Sequence, residues 1–278
     1  MRYRVFRPPY VYRWAGLIGG SAMVVTLVTL AVGLIVPLLV GDPPAGAQAA
    51  TAERRPGPGD PPPAARARAG ARPHRPVVPV SADIVAHVAR PDRVVALTFD
   101  DGPSPDYTPQ VLALLARYHV VATFCMIGPH ATRYPELVRT VVADGMGLCD
   151  HTVSHDEHLW QLPQVQIEAE IIGGRADVRN SAGPDAPIDY FRAPGGRWSD
   201  PVRQIAAHNG MKPLSWSLDP RDWSRPGADR IVATVQQQVH PGAVILLHDG
   251  GGRRDQTIAA LAQLLPWLIA QGYQFVLP

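Results

Sequence analysis

The 278-residue sequence predicts an α/β fold, an incomplete barrel of about seven strands, preceded by a transmembrane helix and a disordered linker. Three observations carry this. Residues 82–278 alternate short apolar runs with helical patterns, several of them opened by proline. Residues 15–41 hold no charged side chain, and residues 42–81 are dominated by Pro, Ala, Arg and Gly.

From the N-terminus, residues 1–14 read as a short basic cytoplasmic tail, with Arg2, Arg4, Arg7 and Arg13. Residues 15–41 are long enough, at about 1.5 Å per residue, to cross a hydrocarbon core of about 30 Å. The expected arrangement is a single-pass signal anchor in the cell membrane with the C-terminal domain outside. The alternative is secretion after cleavage, since Ala45-Gly46-Ala47 and Ala47-Gln48-Ala49 both resemble processing sites. Residues 42–81 read as a disordered stalk, with a reach of up to roughly 120 Å if extended at about 3.1 Å per residue. Strands are expected at Val94–Phe99, Ala122–Ile127, Met146–Cys149, Tyr190–Arg192, Leu214–Leu218, Ala243–His248 and Tyr273–Leu277. Helices are expected between them at Pro109–Tyr118, Pro135–Asp144, Pro163–Val178, Pro201–His208, Ala228–Val239 and Thr257–Gln271. Seven strands with six intervening helices fit an incomplete barrel better than a doubly wound sheet.

The chemistry gathers at strand ends. Thr98-Phe99-Asp100-Asp101-Gly102 closes the first apolar run with two adjacent carboxylates. Neighbours on a strand point to opposite faces, but ahead of Gly and Pro both side chains can turn into one cleft, where a cation offsets their repulsion. His151-Thr152-Val153-Ser154-His155 supplies two imidazoles four residues apart. On a helical turn they share a face, and with Asp101 they make a His/His/Asp site with an open position for water. A bound zinc-like ion lowers the pKa of that water toward 7, and Asp100 is placed to take its proton. The competing structural reading is a capped helix start and an acidic turn. Arg192-Ala193-Pro194-Gly195-Gly196, Asp219-Pro220-Arg221-Asp222-Trp223 and Leu246-Leu247-His248-Asp249 end three further runs. In barrels of alternating strands and helices, that end carries the functional groups.

These five motifs, in this order, resemble those of the polysaccharide deacetylases, the NodB-homology carbohydrate esterases, and the resemblance covers Val94 to Pro278. It implies a distorted barrel, a divalent metal, most often Zn2+, and hydrolysis of an acetamide on an N-acetylated polysaccharide. Carried over residue by residue, Asp101, His151 and His155 hold the metal, Asp100 is the base and His248 the acid. Arg192 positions the base and Asp222 tunes His248. Gly195, Gly196, Trp223 and Leu246 face the substrate. The expected substrate is the N-acetyl sugar of peptidoglycan in the cell wall. A carbohydrate O-acetyl esterase is the alternative, and a non-catalytic glycan-binding protein the alternative of another class. Two departures stand out. Gly195 replaces a bulky aromatic, so one wall of the substrate groove is expected to be either lower or supplied by Trp198, and Asp150 precedes the first histidine, as an imidazole acceptor or a surface carboxylate.

Cys125 and Cys149, the two cysteines of the chain, lie on neighbouring predicted strands. They form either a disulfide or two buried thiols, since adjacent parallel strands seldom give the required Cβ geometry. The formal charge of +2 is asymmetric: residues 1–80 carry ten Arg against three acids, and residues 81–278 sixteen basic against twenty-one acidic residues. A mildly acidic domain lacks the basic face that a phosphate backbone demands, so the expected partners are glycan and membrane rather than nucleic acid, with the protein a monomer.

Overall fold

The computed structural model describes residues 78–90 and 92–278. Its centre is β1 (Val94–Gly102), nine residues buried along their whole length. Parallel pairing places β6 (Ala243–His248) on one side of β1 and β2 (Thr123–Met126) on the other, with β7 (Gln274–Phe275) beside its first residues. The sheet continues from β2 through β3 (Gly147–Asp150) and β4 (Tyr190–Phe191) to β5 (Lys212–Pro213), again parallel throughout. The order β5-β4-β3-β2-β1-β6, with β7 against β1, gives the expected seven strands. Isolated bridges draw the two edges together: Val85 to Leu214, His87 to Ala243, and Leu218 to Ile245. The result is the incomplete α/β barrel that the alternation of elements predicts.

Among the described residues seven α-helices cover the outside: α1 (Thr108–Tyr118), α2 (Gly128–Arg133), α3 (Pro135–Ala143), α4 (Gln164–Ala182), α5 (Asp200–His208), α6 (Ala228–Gln238) and α7 (Asp255–Ala270). Their apolar residues recur at helical spacing, as at Val111, Leu112 and Leu115 of α1 or Ile167, Ile171 and Val178 of α4. These pack on the outward side chains of the sheet, Val95, Leu97, Phe99, Phe124, Leu148, Phe191, Ile245 and Leu247, to form the main core. Alternation along each strand sends the intervening residues inward. There Ala96, Cys125, Cys149, Tyr190, Leu214 and Val244 make a second, smaller cluster. Continuing the same alternation toward the strand ends places Thr98, Asp100, His151, Arg192, Leu246 and His248 on the inner side. The functional residues thus share a face because of strand period and register.

Several expectations are corrected. Among the described residues no helix is long and apolar enough to cross a membrane, which overturns the transmembrane element of the expected fold. Residues 15–41, on which that helix was placed, lie outside the described residues, as do 1–14 and most of 42–81. The membrane anchor, the membrane as partner and the single-pass location with an external domain are withdrawn with it. The short helix α2 was missed, because Gly-Pro at its start reads as a loop. The expected strand Leu214–Leu218 is reduced to isolated bridges, since Arg192 Nε and Nη2 donate to the carbonyls of Leu214 and Ser215 and draw them out of a regular ladder.

Cys125 and Cys149 are register partners on β2 and β3, and their sulfurs are bonded. The bridge closes a loop of 24 residues inside the barrel. Replacing both cysteines with alanine is expected to lower the free energy of unfolding by about 3 kcal/mol, as read from denaturant midpoints. An unchanged midpoint would show that the bridge contributes nothing to the fold.

Candidate metal centre and active site

Asp100 and Asp101 are adjacent, and a regular strand would send them to opposite faces. The strand is not regular there. Asp101 takes φ +70°, and the β1–β2 register shifts between Asp100 and Gly102. A left-handed residue at a bulge re-aims a side chain, and Asp tolerates that conformation better than most. Both carboxylates therefore enter one cleft. Asp100 Oδ1 accepts from Arg192 Nη1 at 2.6 Å, while its Oδ2 lies 3.6 Å from His151 Nε2. Asp101 Oδ1 lies 3.6 Å from His151 Nε2 and 3.3 Å from His155 Nε2, and it is buried without a hydrogen-bond partner.

His151 is neutral. Burial, the largest influence, pushes its pKa down to about 3 despite the charge of Asp101. Its Nδ1 lies 2.8 Å from the Arg192 carbonyl, which can only accept, so Nδ1 carries the proton and Nε2 presents a lone pair to Asp101. Lone pairs turned toward an orphaned carboxylate oxygen repel one another unless a cation lies between them. Asp101, His151 and His155 bring one ligand atom each within 4.8 Å, and a neighbouring acceptor fixes the imidazole, as is usual for a metal ligand. The residues present fit a divalent ion.

The two histidines meet differently from expectation. Their segment is a loop with Thr152 at φ +70° and His155 at φ +54°, not a helical turn. Glu170 of α4 holds it, its Oε2 accepting from the amides of Val153 and Ser154 at 3.1 and 2.8 Å. Asp150 is fully buried rather than a surface carboxylate, and it accepts from the Thr152 amide at 3.0 Å instead of touching an imidazole. Burial raises its pKa well above the usual carboxylate range, against the lowering effect of that hydrogen bond.

Arg192 is 0% exposed and each of its nitrogens donates: Nη1 to Asp100 and to Thr98 Oγ1, Nε to the Leu214 carbonyl, Nη2 to the Ser215 carbonyl. Trp216 stacks 5.6 Å from its guanidinium, and a Cβ at Gly196 would lie 2.4 Å from the Trp216 ring. The Gly196 amide already donates to the Ala193 carbonyl at 2.9 Å. Glu157, not Trp198, lies over Gly195, within 3.3 Å of where a Cβ would stand. Trp198 instead packs edge-on against Phe191 at 5.8 Å.

On the far side, Asp222 grips His248 twice, accepting from its backbone amide at 2.9 Å and from Nδ1 at 2.8 Å, and Thr257 Oγ1 donates to the same carboxylate at 2.7 Å. Trp223 is 45% exposed beneath the Arg221 guanidinium, and Leu246 is buried two residues before His248 on the same strand face. Sequence reasoning missed Glu170, Trp216 and Arg254, none of which lies in a spaced pattern, and it gave no role to Asp249, the last residue of the Leu246–Asp249 motif. Asp249 is buried behind Gly102, where a Cβ would lie 2.5 Å from its carboxylate. Burial drives its pKa up to about 7, against the hydrogen bond that Thr108 donates at 2.5 Å. Buried Arg254 binds the carbonyls of Gly250 and Gly251 at 2.6 and 3.0 Å and so holds the loop that follows His248.

Burial alone would lower the pKa of His248, yet the hydrogen bond and charge of Asp222, aided by Asp100 and Asp101, raise it to about 9. A pKa raised above the ordinary 6.5 stabilises the fold fully below that pH, and the contribution is lost as pH rises through about 9. In metal-free protein, NMR titration of the His248 ring is expected near that value, and Asp222→Asn is expected to shift it downward. An unshifted titration in the variant would remove Asp222 as the cause.

The polysaccharide deacetylase family profile matches residues 87–214. The chain is 43% identical over 189 residues to the chitooligosaccharide deacetylase of Sinorhizobium fredii, covering 64% of this chain and 87% of that protein. It is 42% identical over 187 residues to a peptidoglycan-N-acetylglucosamine deacetylase of Bacillus cereus, covering 66% and 86%. The solved family 4 carbohydrate esterase of Streptomyces lividans, in complex with acetate, aligns with a TM-score of 0.61 at 32% identity, covering 66% of this chain and 92% of that one. The chain belongs to the polysaccharide deacetylase family and is a metal-dependent hydrolase of amide bonds.

Proposed function

We propose that this deacetylase removes acetyl groups from N-acetylglucosamine units of a glycan, the unit common to the chitooligosaccharide and peptidoglycan named in its relatives. The reading widens the expected restriction to peptidoglycan. The observation that carries it is the buried, unpartnered Asp101 Oδ1 facing His151 and His155 beside an Asp100 held by arginine. In this proposal Asp101, His151 and His155 hold the ion, and zinc suits their mixed nitrogen and oxygen donors. When bound, the ion supplies a water acidified toward neutral pH and polarises the acetyl carbonyl.

Arg192 ties down one oxygen of Asp100, so Oδ2, on the His151 side, is the oxygen that takes the proton. His248 has Nδ1–H fixed on Asp222, which aims the opposite nitrogen, Nε2, as the donor to the departing amine. A pKa raised by Asp222 keeps that proton available at neutral pH. Because the Gly196 amide is engaged in its own turn, Gly195 N–H is the proposed donor to the oxyanion. Trp223 and Leu246 are proposed as walls for the acetyl methyl. A carbohydrate O-acetyl ester is the second reading, favoured by the likeness to the Streptomyces lividans carbohydrate esterase.

Acetate release by the purified chain tests these readings on chitooligosaccharide, peptidoglycan and O-acetylated xylan, with protein stripped of metal and then given zinc. Zinc-dependent release from the two N-acetylated substrates is expected. Release from xylan alone would reverse the order of the two readings, and no release from a zinc-loaded protein would overturn both.

A further inference from the structure

His130 belongs to no motif, yet its ring touches the centre. It is the third residue of α2, partly buried, and its Nδ1 lies 2.9 Å from the carbonyl oxygen of Asp101. A carbonyl only accepts, so Nδ1 carries the proton and donates it there. That carbonyl belongs to a peptide in an unfavourable shape. Asp101 sits at φ +70°, and the register slip between Asp100 and Gly102 leaves it without a residue opposite on β2.

The other side of the peptide is closed by contact alone. A Cβ at Gly250 would lie 2.0 Å from the Asp101 carbonyl oxygen, and one at Gly251 would lie 2.3 Å from Oδ2. Glycine backbone packs there with no side chain to bond the peptide. The neighbouring carbonyls have backbone donors: that of Asp100 accepts from the amides of Asp249 and Gly250, and that of Gly102 from the amide of Ile127. The Asp101 carbonyl receives a side chain. Because ψ and φ at this residue set where its carboxylate points, a donor fixed on its carbonyl also fixes the carboxylate. α2 is held in turn by the loop of the metal histidines, the Gly128 amide donating to the Thr152 carbonyl at 2.9 Å.

We propose that His130 is a positioning residue for the metal ligand Asp101, its Nδ1–H clamping the left-handed peptide so that the carboxylate faces His151 and His155. The proposal rests on the reading of Asp101 as a ligand. It assigns His130 a donor's role that asparagine, whose amide nitrogen occupies nearly the same place as Nδ1, can also fill.

The test is zinc affinity of the full chain, stripped of metal and titrated against a chromophoric chelator, with the cobalt(II) absorption spectrum as a second readout. His130→Ala is expected to weaken zinc binding by about 10 to 100-fold, the range for changes in residues that orient ligands. His130→Asn is expected to recover most of that loss and the wild-type cobalt spectrum. Unfolding midpoints of the metal-free proteins identify any loss of fold in the alanine variant, and the asparagine variant then carries the comparison. Wild-type affinity in both variants, or equal weakening in both, overturns the proposal, since neither follows the donor. A wild-type chain that takes up no zinc overturns the metal reading and this proposal together.

Discussion

The buried pair of Arg192 and Asp100 is the constraint on which the site depends. A guanidinium with no exposed surface is costly unless every nitrogen is matched, and here one carboxylate, one hydroxyl and two carbonyls match them. Those partners come from β1 and from the segment after β5, so a residue at the end of β4 ties three parts of the barrel wall together. Removing one member of such a pair leaves an uncompensated buried charge, at a cost of about 3 to 5 kcal/mol. The pairing also separates the two carboxylates chemically. Asp100 has an oxygen committed to arginine, whereas Asp101 Oδ1 has no protein donor at all. In the proposed reading, one sequence dipeptide thereby supplies a fixed base and a free ligand.

Backbone geometry delivers the remaining groups. Parallel strands in register bring Asp100 beside His248 across β1 and β6, and Cys125 beside Cys149 across β2 and β3, with every second residue facing inward. Where regular alternation would misdirect a side chain, the chain turns left-handed, at Asp101, Thr152 and His155. Such residues are disfavoured in isolation and persist because their surroundings hold them: Glu170 on the histidine loop, Asp150 on the Thr152 amide, glycine contacts and His130 around Asp101.

Much of this was legible in the sequence, for identifiable reasons. Strand β6 is legible at Ala243–His248 because an uninterrupted apolar run ends in a polar pair, and four of the five motifs fall at strand ends as barrel logic requires, while Asp219–Trp223 follows the isolated bridge of Leu218 to Ile245. What escaped depends on tertiary hydrogen bonding. The ladder breaks off after Pro213, where Arg192 takes the carbonyls of Leu214 and Ser215, which no local pattern encodes. The histidine pair reads as helical by spacing alone, but Glu170, fifteen residues beyond His155, holds a loop instead. Buried Asp150, Asp249 and Arg254 look like surface residues by type, and burial of that kind is decided by packing. The apolar N-terminal segment showed the opposite hazard, since length and hydropathy suggested a membrane span that no described helix supports.

The division of labour between the two carboxylates is tested most directly by zinc stoichiometry and turnover in Asp100→Asn and Asp101→Asn. Asp101→Asn is expected to lose bound zinc, whereas Asp100→Asn is expected to keep one zinc per chain and to lose turnover by about 100-fold or more, the scale of a missing general base. Zinc retained by Asp101→Asn, or full turnover in Asp100→Asn, would contradict that division.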